Sequence, residues 1–139
     1  MAVRTAAVVL LAPPGDVWAF LGEPRHLADW WPNVAFVEPD RRGLETGARW
    51  RVRAAEATWF RRAEAEDTLL VLAADRERRF AFELVRAKLR AELTLTAVDA
   101  RQTRADLAVS SRFLLGAARS LPSDALARLH DLVQTGAGL

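Results

Sequence analysis

Between Val34 and Phe113 the side chains repeat with a period of two, and only short polar runs interrupt the alternation. That period puts alternate residues on opposite faces of a strand, so this stretch must build a sheet with one dry face and one wet face. Arg49, Arg51 and Arg53 alternate with Trp50 and Val52, and Lys88, Arg90, Glu92, Thr94 and Thr96 alternate with Leu89, Ala91, Leu93, Leu95 and Ala97. Strands are expected at Val34–Val37, Gly47–Ala54, Thr58–Ala65, Leu69–Ala73, Arg79–Val85, Lys88–Val98 and Thr103–Phe113. The polar runs Asp40–Gly43, Asp75–Arg78 and Asp99–Gln102 read as turns, and strands joined this tightly pair antiparallel.

The flanks follow other periods. Val3–Leu11 is rich in β-branched residues and reads as an opening strand, stopped by Pro13-Pro14-Gly15-Asp16. Val17, Phe20 and Leu21 then fall at helical spacing, with Gly22 to close the turn. Pro24 starts a second short helix that carries Leu27 and the Trp30-Trp31 pair and ends at Pro32. At the other end Ser120 or Ser123 can cap a helix whose stripe is Ala125, Leu126, Leu129, Leu132 and Val133, with Arg128 and Asp131 toward water. The plan is α+β: a curved antiparallel sheet wrapped around a long C-terminal helix, with two short helices after the first strand. A chain of 139 residues fits a single domain, 1–139.

Parity decides which side chains point inward. Five polar residues of the Lys88–Val98 strand cannot all find buried partners, so its leucines and alanines face in. The same reasoning turns Thr103, Ala105, Leu107, Val109, Ser111 and Phe113 inward, together with Phe80, Phe82, Leu84, Trp50 and Val52. On the first strand Thr5, Ala7 and Val9 are expected inside. The resulting surface is aromatic and aliphatic, with Thr5, Thr103 and Ser111 as its only hydroxyls and no acid, histidine or cysteine. General acid–base chemistry needs a titratable group beside the substrate, so this lining suits binding better than catalysis.

One segment breaks the pattern. In Trp59-Phe60-Arg61-Arg62 a regular strand turns either Arg61 or Arg62 inward, where it would anchor a carboxylate or enolate. A bulge or strand end that lets both reach solvent, or a pairing with Glu64, Glu66 or Glu83, is the favoured reading. Trp30 and Trp31 read either as a lid over a ligand or as plugs fastening their helix to the sheet. His26 is expected to face solvent, and His130 to sit half-exposed at the edge of the terminal stripe.

Other classes are set aside by composition. Without cysteine there are no disulfides or thiolate sites, and with two histidines no metal centre and no cofactor are expected. The net charge is only +2, yet the pI is near 10.3. With no Tyr or Cys and Lys88 as the sole lysine, little titrates between neutrality and arginine, so the pI reflects missing buffers and not a strong basic field. Arg49, Arg51 and Arg53 form an outer basic face that would suit nucleic acid or an anionic surface; a solvated face balanced by nearby acids is the preferred reading, and no nucleic-acid partner is expected. The apolar run Ala6–Pro14 is too short for a membrane span, and a cytoplasmic protein is the expectation.

The opening strand, then Ala12-Pro13-Pro14-Gly15-Asp16-Val17-Trp18-Ala19-Phe20-Leu21 and Leu27-Ala28-Asp29-Trp30-Trp31-Pro32, resembles the start of the SRPBCC superfamily. These are the START-like and polyketide cyclase/dehydrase-like proteins with a Bet v 1-type helix-grip fold. The likeness continues through Gly47-Ala48-Arg49-Trp50, Arg79-Phe80-Ala81-Phe82-Glu83, Thr103-Arg104-Ala105 and the terminal helix. The resemblance implies a sheet gripping the C-terminal helix around a hydrophobic cavity, with the short helices near its entrance. Members bind lipids, polyketides, quinones or hormones, and some are cyclases with Arg, Tyr and other polar groups in the cavity. This chain has no Tyr, and its only candidate cavity arginine is Arg61 or Arg62. The expected partner is a small apolar molecule held by Trp30, Trp31, Trp50, Val52, Phe80, Phe82, Leu93, Leu95, Leu107 and Val109, with Leu126, Leu129 and Val133 from the helix. A cyclase or dehydratase using Arg61 or Arg62 is the alternative.

Overall fold

The computed structural model describes residues 2–54, 66–111 and 119–137. Strand β1 (Ala2–Leu10) leads into helix α1 (Pro14–Leu21), a 3-10 turn (Pro24–His26) and the one-turn helix α2 (Leu27–Trp30). Strands β2 (Val34–Glu38), β3 (Arg49–Ala54), β4 (Glu66–Asp75), β5 (Arg79–Leu84), β6 (Leu89–Asp99) and β7 (Gln102–Ser111) follow, and helix α3 (Leu121–Ala137) comes last. The seven strands form one curved antiparallel sheet in the order β1-β7-β6-β5-β4-β3-β2. Consecutive strands from β2 to β7 are neighbours, short turns joining β4 to β5, β5 to β6 and β6 to β7, and only β1 is brought in from far along the chain. The predicted Thr58–Ala65 strand and Phe113 lie outside the described residues.

Register across the sheet builds the inner face. Phe80 stands opposite Leu93, and Leu93 opposite Leu107; Phe82 stands opposite Ala91, and Ala91 opposite Val109. All of these are buried, as the alternation of β5, β6 and β7 required. α3 lays its apolar stripe over β1 and β7 and touches α1 and α2, with Ala125, Leu126, Leu129 and Val133 buried. At its start the Ser120 hydroxyl reaches the Asp124 carboxylate and the Ser123 hydroxyl donates to the Ser120 carbonyl.

β1 corrects the sequence reading. Thr5, Ala7 and Val9 are exposed, whereas Ala6 and Val8 pack against the core and Leu10 is fully buried. The strand is apolar on both faces, so alternation carried little information, and the one charge, Arg4, pointed to the wrong face. Pairing with β7 decides the matter: Ala6, Val8 and Leu10 stand opposite Leu107, Ala105 and Thr103, which all face in. Arg4 shares that parity but lies near the strand's end, where it remains exposed.

Two polar contacts fix the joints. The Asp67 carboxylate accepts from the backbone N–H groups of Arg86 (2.7 Å) and Ala87 (3.0 Å), closing the turn between β5 and β6, where Lys88 takes a positive φ of 54°. At the other end of the sheet the buried Thr103 hydroxyl donates to the Ala12 carbonyl at 2.8 Å, tying the start of β7 to the chain as it leaves β1 for α1. Thr103→Val keeps the shape and deletes this hydrogen bond in a dry setting. It should cost about 1–2 kcal/mol, seen as a lower urea midpoint at unchanged slope, while Thr103→Ser retains most of the stability.

Candidate functional site

The concave face is organised by a row of rings. Trp30 meets Trp31 edge to face (5.6 Å between centroids, 89°), Trp31 meets Phe82 (5.0 Å, 75°), Phe82 meets Phe80 (5.1 Å) and Phe80 meets Trp50 (5.9 Å). Such edge-on and tilted pairs are the favoured arrangements of aromatic quadrupoles, each adding about 0.5–1.5 kcal/mol beyond area burial. The row runs from α2 across β5 to β3, and each of its five rings is no more than 2% exposed.

Local sequence explains how α2 supplies two of the rings. The Glu23 carboxylate accepts from the Arg25 backbone N–H and opens the 3-10 turn, with Pro24 at its first position. Pro32 forbids Trp31 a helical backbone, so Trp31 is extended (φ −85°, ψ 121°) while Trp30 is still helical. The break turns the two indoles at right angles and sends both inward. Both indoles are buried in the core, Trp30 at 1% and Trp31 at 2% exposure.

Trp50 is set from the other side. Its indole N–H donates to the Gly43 carbonyl at 2.8 Å, satisfying the one polar atom it carries into the core. The Asp40 carboxylate holds that loop, accepting from the backbone N–H groups of Arg49 (2.9 Å) and Arg42 (3.0 Å). The Arg49 N–H above all, with those of Arg42 and Gly43, keeps the Asp40 carboxyl below its ordinary 3.8.

The remaining predicted lining residues, Val52, Leu93, Leu95, Leu107, Val109, Leu126, Leu129 and Val133, are buried in the same continuous core. Leu69 and Val71 on β4 belong there too, with Leu69 paired to Trp50 and Val71 to Phe82. They escaped assignment because Leu69-Leu70-Val71-Leu72 is apolar in both parities. Thr103 and Ser111 are the only buried polar residues among those described, and Thr5 is outside. No buried polar side-chain atom among the described residues lacks a partner. Arg61 and Arg62 lie outside the described residues.

His26 is also corrected. Its ring stacks on Phe20 (4.2 Å, 14°), and its Nδ1 stands 2.7 Å from the Phe20 carbonyl, so it clips the 3-10 turn to α1 instead of pointing to solvent. His130 is half-buried beside Asp131. On the convex face Arg51 pairs with Glu38, and Arg53 pairs with Glu66 while lying 5.8 Å over the Phe36 ring. Two of the three alternating arginines thus have acids beside them. Two depressions open away from the ring row. One of about 890 Å³ lies beside the β4–β5 turn, Pro14 and Thr94–Ala97, and one of about 290 Å³ lies on the convex side near Ala81, Glu92 and Ala108. Of the predicted lining only Leu95 borders either.

The chain matches a family model described as polyketide cyclase / dehydrase and lipid transport over residues 1–135. Among solved structures, a protein of Deinococcus radiodurans is 19% identical with a TM-score of 0.68, covering 97% of this chain and 99% of that one. The Aha1 dimer from Colwellia psychrerythraea is 14% identical with a TM-score of 0.70, covering 98% of each chain. DynU16, from the dynemicin biosynthetic locus, is 21% identical with a TM-score of 0.67, covering 97% of this chain and 48% of that one. No curated protein sequence matches.

The Asp40 clasp has a pH signature. A carboxyl whose pKa falls on folding stabilises the fold in full above its unfolded value, near 3.8, and loses that contribution as the pH drops through the lower folded value. Acidification through that window should release the 40–49 loop from Trp50 and shift tryptophan emission to longer wavelength. Asp40→Asn should show the shifted emission already at neutral pH and lack the acid step.

Proposed function

The chain belongs to the polyketide cyclase/dehydrase and lipid-transport family, and on that premise we propose that it holds a small hydrophobic molecule between the concave face of its sheet and α3. One observation carries the reading: the concave face is aromatic and aliphatic, and its buried hydroxyls, Thr103 and Ser111, are the only polar groups among the described residues there. Thr103 is already committed to the Ala12 carbonyl. Such a wall offers contact area and, among the described residues, no acid, histidine or other group that titrates near neutrality, which supports a binder over an acid–base enzyme.

The guest in this proposal is flat or chain-like and lies along the ring row, against Trp31, Phe82, Phe80 and Trp50, with Leu126, Leu129 and Val133 of α3 closing over it. The rings meet edge to face and tilted, so a guest enters by displacing ring–ring contacts and replaces them with its own. Each buried 100 Å² of apolar guest surface contributes roughly 2.5 kcal/mol at about 25 cal/mol per Å², which offsets the lost pair contacts. The family description joins polyketide chemistry with lipid transport, and DynU16 comes from a biosynthetic locus; both support a polyketide- or lipid-like guest. No observation among the described residues favours the cyclase alternative, since its arginines lie outside them.

Native mass spectrometry of the purified protein should show a bound apolar species, and a fluorescent apolar dye should be displaced saturably by long-chain or polycyclic competitors. Phe80→Leu and Phe82→Leu should each weaken displacement about 10-fold, or about 1.4 kcal/mol, while Arg51→Ala on the convex face leaves it unchanged. A protein that carries nothing and shows no saturable displacement overturns the reading.

A further inference from the structure

The two edges of the sheet are built differently. β2 is five residues long, is broken by a bulge between Val34 and Phe36, and carries Glu38 in an ion pair with Arg51. Shortness, a bulge and a charge are the devices that keep an edge from recruiting another strand. β1 has none of them. It runs for nine residues in unbroken register against β7, contains neither proline nor lysine, and has Arg4 as its only charge. Among the described residues no strand lies beyond it, so alternate backbone N–H and C=O groups of β1 have no strand partner. Its convex-side residues Val3, Thr5, Ala7 and Val9 are exposed, Val3 at 58% and Val9 at 42%. The neighbouring β7 already carries the exposed Arg104–Asp106 pair, so the apolar strip belongs to the edge strand itself.

We infer that β1 is a pairing edge and that its partner is β1 of a second copy of this chain, joined antiparallel about a two-fold axis through Ala6. The strand is self-complementary in that register. Val3 stands opposite Val9 of the second copy, Thr5 opposite Ala7, and Ala6 opposite Ala6. Arg4 stands opposite Val8, so like charges never face each other. Two copies thereby set both apolar strips side by side as matched cross-strand pairs and continue one sheet into the next. The contact is isologous and closes on itself, and the blunted β2 edge stops the assembly at two. The convex-side depression of about 290 Å³ touches the strand only at Val3, and the self-complementary order of the strand is what makes the second copy the fitting occupant.

Light scattering coupled to gel filtration, run over a wide range of protein concentration, should give twice the chain mass at the upper end. Val3→Lys with Val9→Lys places lysines opposite each other at both ends of the junction and should give a monomer. The matching Val3→Glu with Val9→Glu variant should also be monomeric, and mixing the two should restore the dimer mass. A parent protein that stays monomeric throughout, or a lysine variant that remains dimeric, overturns the inference. Hydrogen exchange of the parent gives a check independent of any variant. Dilution should deprotect β1 amides selectively, and concentration-independent exchange in β1 overturns the inference equally.

Discussion

The contact of Trp31 with Phe82 fastens the helical layer to the centre of the sheet, and the geometry of the interior depends on it. Trp31 is the extended residue that ends α2 and Phe82 lies in the middle of β5, with 5.0 Å between their ring centroids. From there the row extends to Trp30 on one side and through Phe80 to Trp50 on the other. Strand register continues the same layer from Phe80 to Leu93 and Leu107, and from Phe82 to Ala91 and Val109, up to the strands that α3 covers. A ring lost from the middle of such a row removes contacts on two sides at once, and close packing leaves little to fill the space.

The polar groups act around this layer and not within it. The ion pairs Arg53–Glu66, Arg79–Glu92 and Arg104–Asp106 are solvent-exposed, and pairs of that kind contribute little each, commonly under about 1 kcal/mol. Their effect is to place acids beside arginines on the convex face. The Arg53 guanidinium, by hydrogen bond and charge, holds the Glu66 carboxyl below its ordinary 4.5. Backbone joints matter more for the architecture. Asp67 closes the β5–β6 turn, Asp40 clasps the loop under Trp50, and Thr103 secures the exit from β1. Each satisfies a group that the topology would otherwise leave without a partner.

The concave face and the β1 edge follow from the same alternation read on different strands. Alternation gives β5, β6 and β7 a dry concave side and a charged convex side, and the dry side is buried in the core. β1 departs from the rule because its convex side is apolar as well. An apolar edge strand with none of the usual guards against pairing is an exposed template for another strand.

The fold was legible in the residues, because β3, β5, β6 up to its bulge near Ala97, and β7 alternate, with charges on one side only. The turns and the terminal helix were legible for the same reason: polar runs and a stripe at helical spacing admit one reading. The candidate site was legible as a list of inward side chains. That the rings form a row, with Trp31 turned away from Trp30 by Pro32, is set by a single backbone break and by contacts between residues far apart in the chain. β1, Leu69 and Val71, and His26 were not legible. β1 and the Leu69–Leu72 run are apolar in both parities, so only hydrogen-bonded register against β7 and β3 chooses their inner face; His26 is placed by the ring of Phe20, six residues earlier. Residue order alone chose which strands have a dry side, since burying a charge without a partner is too costly to permit the alternative. Only the tertiary structure decided the side where no charge marks it, because there the choice rests on which neighbour the backbone pairs with.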